Sequence, residues 1–112
     1  DKYNKFCSDN DFWLNNYALF MVIKEMQNNR KWSDWEEQYK FLDLEALSKV
    51  SEKYISEIEE IKVLQFLFHK QWEELKSYAA GKDIKIIGDI PIYISLIVYI
   101  HLLLSPKVVC TY

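Results

Sequence analysis

Glycine and proline are absent from the first eighty residues of this chain; its two glycines and two prolines all lie from Gly81 onward. A stretch without breakers is expected to be helical, and the change at Gly81 divides the chain into a long helical part and a short non-helical remainder. The missing glycines also exclude a Gly-rich phosphate loop before residue 81. Cysteine is scarce. Cys7 and Cys110 sit near opposite ends, no CxxC pair exists, and a structural zinc site is unsupported. Two reduced thiols in a cytosolic protein are favoured over a disulfide. Basic residues are not in excess: 14 Lys and Arg face 17 Asp and Glu, for a net charge of -3. A basic footprint for nucleic acid or anionic lipid is therefore absent. Two lone histidines, His69 and His101, offer no Ser/His/Asp or Cys/His nucleophile arrangement. His101 has no metal-ligand partner at ligand spacing, and His69 reads as a surface or groove residue. No apolar run follows Asp1-Lys2-Tyr3-Asn4-Lys5, so no signal peptide is expected. The lack of a starting methionine suggests a chain that begins inside a longer protein or has been processed.

What the chain does hold is apolar surface. Half of its 112 residues are hydrophobic and 16% are aromatic, so it must bury a core, within one domain at most. A first helix is predicted to start among the capping residues Ser8 to Asp11. Trp13, Leu14, Tyr17, Ala18 and Met21 supply its apolar face, and Asn28-Asn29-Arg30 ends it. Ser33-Asp34-Trp35-Glu36 reads as a capping box before a short helix. Asp43 then opens a segment that runs unbroken to Ala80. In it Tyr54, Ile58, Ile61, Gln65, Phe68, Trp72, Leu75 and Ala79 fall at alternating steps of three and four, an amphipathic stripe that predicts core. Glu52, Glu59, Glu60, Lys70, Glu73 and Glu74 lie off it. Gly81 stands where a left-handed residue would close the helix.

Ile84-Lys85-Ile86-Ile87 is β-branched and reads as a buried strand ended by Gly88-Asp89. Helix, turn and buried strand in that order predict an α/β protein with parallel strands. A single strand cannot form a sheet, so either the rest of the sheet is missing or the segment is not a stable strand.

Several strings, in order, carry a family likeness. Phe6-Cys7, Asn10, Trp13-Leu14 and Tyr17-Ala18-Leu19-Phe20 come first, followed by the paired Trp32 and Trp35. Glu57-Ile58, Lys62, Gln65-Phe66-Leu67-Phe68, Gln71-Trp72, Leu75-Lys76 and Tyr78-Ala79 continue. Ile86-Ile87-Gly88-Asp89-Ile90-Pro91-Ile92-Tyr93 completes the run. Over roughly residues 6–95 the sequence resembles the 4-alpha-glucanotransferases, or amylomaltases. It departs at Asn16, where the family usually carries aspartate.

The resemblance implies a cytoplasmic enzyme that moves α-1,4-glucan segments onto glucose or maltooligosaccharide acceptors. It implies a fragment of a (β/α)₈ TIM barrel, mostly helical in this piece, with one short parallel-type strand. Residues 1–83 would be the helical segment, 84–93 a barrel strand ending in Gly-Asp-Ile-Pro-Ile, and 94–112 a tail unlike the family. The family uses no organic cofactor and retains configuration, which requires a nucleophile carboxylate and an acid/base carboxyl. Those groups belong to later barrel strands, so no catalytic residue is assigned here and the chain alone is expected to be inactive. Asp89, at the carboxyl end of the predicted strand, is the one candidate substrate-binding residue, bordering the glucan cleft. The alternative is that it only holds the turn. Trp13, Trp35 and Trp72 could stack on sugars, but their helical faces favour packing.

Beyond Ser95 the likeness stops. The family continues with one variable residue and then Asp-Ser, whereas this chain reads Leu96-Ile97-Val98-Tyr99-Ile100-His101-Leu102-Leu103-Leu104. If Leu96 to Ile100 were encoded NNG-ATA-GTN-TAT-ATN, reading from the third base would give Asp-Ser-Val at the family's position. The tail then reads as a frameshift product. Ile90 to Leu104 is too short and interrupted for a spanning helix, and an aggregation-prone strand fits it better. Besides the inactive fragment, two alternatives remain: a non-catalytic helical interaction module, and a remnant with a membrane- or aggregation-prone tail.

Overall fold

The computed structural model describes residues 1–88. Five α-helices occur among them: α1 (Lys2–Asp9), α2 (Asp11–Met26), α3 (Glu37–Lys40), α4 (Leu44–Lys53) and α5 (Ile55–Gly81), with a 3₁₀ turn at Trp32–Asp34. The described residues fall into two compact units divided between Val63 and Leu64, and α5 contributes to both.

The expectation of an α/β barrel fragment with a parallel strand is overturned for the described residues, which are helical and contain no strand. Residues 84–88 carry no regular structure. Ile84 turns its N–H back to the Ala79 carbonyl at 2.9 Å, so the β-prone run begins by closing a helix. A strand is held by ladder bonds to a neighbour, and β propensity mainly reflects packing on such a neighbour. No other described segment offers that edge. The remainder of the predicted strand, residues 89–93, lies outside the described residues, as does the apolar tail 94–112.

α1 has no apolar stripe long enough to announce it in the sequence. Asp1 caps it by accepting from the Tyr3 N–H at 3.1 Å. Asn10 then joins α1 to α2 from both ends of its side chain. Its Nδ2 donates to the Phe6 carbonyl at 2.8 Å, and its Oδ1 accepts from Trp13 Nε1 at 2.9 Å. Phe6, Leu14 and Ala18 on these two helices are buried.

Three helices end alike. After α2, the N–H groups of Asn28 and Asn29 return to the Glu25 and Lys24 carbonyls, with both asparagines at positive φ (54° and 56°). Asparagine tolerates that region better than most residues, which is why Asn28-Asn29 stops the helix as expected. After α3, the Leu42 N–H reaches the Tyr39 carbonyl and the Asp43 N–H the Gln38 carbonyl, with Leu42 at φ 59°. Asp43 caps the next helix as well, its carboxylate accepting from the Ala46 N–H at 2.8 Å. After α5 the left-handed position belongs to Asp83 (φ 56°), while Gly81 stays inside the helix. Each pair of returning bonds is the Schellman pattern; the expected role of Gly81 is corrected by two residues.

The capping box is corrected too. Ser33 lies in the 3₁₀ turn and donates to Asp34, while Glu36, not Ser33, precedes α3. The Glu36 N–H is taken by Gln27 Oε1 at 3.3 Å, and Gln27 Nε2 donates to the Glu36 carboxylate at 3.3 Å. Gln27 is buried, so this reciprocal pair satisfies an amide that would otherwise be costly to leave unpaired.

The core of the first unit is Val22 and Ile23 from α2, Trp35 from the connection, and Val50 from α4. Phe20, Leu47, Tyr54, Ile58 and Ile61 pack around it. Burying each aliphatic side chain contributes about 1.5–3 kcal/mol. The predicted single helix from Asp43 breaks at Tyr54, whose backbone (φ -114°, ψ 34°) leaves the helical region. Leu47 and Val50 before the break and Ile58 and Ile61 after it reach the same core.

Candidate functional site

The stripe that predicts core on α5 is covered unevenly: Ala79 near its end is buried. Tyr54, Ile58 and Ile61 pack against the core. Phe68, Trp72 and Leu75 are 64%, 37% and 52% exposed. Packing is therefore the observed role of Trp35, which is 6% exposed, lies 5.4 Å from the Phe20 ring, and donates from Nε1 to the Arg30 carbonyl at 3.1 Å. Trp13 is half-buried between Asn10 and the edge of Tyr17. For Trp72 the packing expectation fails: its ring is exposed, with Lys76 Nζ 6.0 Å from the centroid.

Asp89, the single candidate substrate residue, lies outside the described residues, as do His101 and Cys110. Cys7 is a free, half-buried thiol. His69 is exposed on α5 one turn before Glu73, whose carboxyl is held below the usual carboxylate range chiefly by its hydrogen bond from Lys76. Tyr3 donates its hydroxyl to the Glu59 carboxylate, tying α1 to the first part of α5. Partial burial, the bond to Glu59 and the neighbouring Cys7 together hold the phenol above its ordinary 10.0. Sequence reasoning missed this pair, because nothing in the spacing of residues 3 and 59 announces it.

An open depression of about 380 Å³ is lined by Gln38, Tyr39, Asp43, Glu45, Ala46 and Lys49. Its charged groups serve one another and the fold: Lys49 pairs with Glu45 at 2.6 Å, and Asp43 caps α4. Among the described residues no group of three or more His, Cys, Asp or Glu is placed to hold a metal ion. No described helix is long and apolar enough to cross a membrane.

The residues that carry the family likeness thus have visible structural work. Asn10 links Phe6 and Trp13 at the α1–α2 corner, Leu14 and Ala18 are buried on α2, and Trp35 fills the core. The same pattern recurs in known proteins. A 4-alpha-glucanotransferase of Clostridium butyricum is 40% identical over 95 residues, covering 85% of this chain and 20% of that protein. One from Aquifex aeolicus is 40% identical over 88 residues, covering 79% and 18%. The chloroplastic/amyloplastic 4-alpha-glucanotransferase of Solanum tuberosum is 39% identical over 82 residues, covering 73% and 14%. The chain spans about a fifth or less of the length of these curated relatives. No solved structure matches it. Residues 1–97 match the pattern of the 4-alpha-glucanotransferases from end to end of the described helices, and the chain belongs to that family.

Proposed function

We propose that this chain supplies the helical part of a 4-alpha-glucanotransferase, which transfers a segment of an α-1,4-glucan to a glucose or maltooligosaccharide acceptor. The observation that carries the reading is the match over residues 1–97, together with the relatives' shared name. The reaction retains configuration by double displacement. One carboxylate attacks the anomeric carbon while a carboxyl group protonates the departing oxygen; the resulting base then deprotonates the acceptor hydroxyl that displaces the enzyme. No residue of this chain is assigned to either step, and the chain alone is inactive. Its own contribution is the folded helical scaffold of residues 1–83 and, in the segment 84–93, Asp89 at the border of the glucan cleft. The apolar run from Leu96 onward is read as the product of a reading-frame change. A cytoplasmic location belongs to the same reading, although plant relatives are named chloroplastic/amyloplastic.

The test is a chimera in which residues 1–95 replace the matching fifth of the Clostridium butyricum relative. With maltotriose as donor and acceptor, glucose and longer maltooligosaccharides are expected from the chimera and from the relative, and neither from the 112-residue chain. A folded chimera without transfer would overturn the scaffold reading; transfer by the chain alone would overturn its inactivity. Asp89→Asn in the chimera is expected to lower kcat/KM about tenfold, the worth of roughly 1.4 kcal/mol at the transition state. An unchanged kcat/KM would leave Asp89 as a turn residue.

A further inference from the structure

We draw no further inference here: the strongest candidate, the exposed apolar face of α5 formed by Leu64, Phe68, Trp72 and Leu75, carries nothing because nothing in the structure shows what covers it.

Discussion

Trp35 and Trp72 look alike in the sequence, both tryptophans on predicted packing faces, and the structure separates them energetically. Trp35 is buried among Val22, Ile23 and Val50, against Phe20, with its indole N–H on the Arg30 carbonyl. Truncation to alanine removes the ring, the bond and the packing of the surrounding core, at a cost of about 3–5 kcal/mol. Trp35→Phe keeps a ring against Phe20 and loses chiefly the hydrogen bond and some volume. Arg30 is itself exposed, so water can take over its carbonyl, and the expected cost is about 1–2 kcal/mol. Trp72 is more than a third exposed, and Trp72→Ala is expected to cost under about 1 kcal/mol. A unit the size of Asp1–Val63 has a total stability of only roughly 3–9 kcal/mol, so Trp35→Ala should remove most of it. Urea unfolding followed by far-UV circular dichroism measures all three variants without relying on tryptophan emission. The order Trp35→Ala, Trp35→Phe, Trp72→Ala is expected. A Trp72→Ala cost equal to that of Trp35→Ala, or a Trp35→Ala midpoint unmoved from the parent, would refute this placement of the core.

Gly81 sits within α5 with nothing within 4 Å of where a Cβ would stand, so Gly81→Ala should strengthen the last turn by about 0.5–1 kcal/mol. Asp83→Gly should relieve a left-handed residue and add about 1 kcal/mol more; slower amide exchange at residues 79–84 is the readout, and faster exchange in either variant would contradict the helix end described here. Asp43→Ala removes the cap of α4 and should cost about 1 kcal/mol, seen as a lower urea midpoint, whereas Asp34→Ala in the 3₁₀ turn should cost less. Tyr3→Phe removes the tie between α1 and Glu59 and should destabilise by about 0.5 kcal/mol, since Tyr3 is only partly buried and the bond itself meets solvent. Because the folded phenol is held above its ordinary 10.0, this stabilisation is complete below about pH 10 and is lost as pH rises through the folded value. The gap between parent and Tyr3→Phe should therefore close above pH 10, and a gap constant to pH 11 would exclude the tie.

Where turn chemistry and helix periodicity carried the information, the sequence was readable. Asn28-Asn29 stops α2 because asparagine tolerates positive φ, and Asp43 starts α4 because its carboxylate reaches Ala46 N–H. The family likeness over residues 6–95 was equally legible, and part of it, Phe6, Asn10 and Trp13, is joined by hydrogen bonds at one helix corner. Asp89 lies outside the described residues.

Local pattern failed where the outcome depended on a partner distant in sequence. Glu36 follows Gln27 rather than Ser33 because the Gln27 side chain is folded beside it. Tyr54 interrupts a pattern that propensity alone would continue. Ile84 to Ile87 has the composition of a buried strand and forms none, because β structure requires a neighbour to exchange hydrogen bonds with, whereas a helix satisfies its backbone within itself. The sequence by itself determined that the segment up to residue 80 is built of helices and their connections, and to which family it belongs. Tertiary structure alone decided which residues of the stripe meet the core, Tyr54, Ile58 and Ile61, since that depends on where α2 and Trp35 place it.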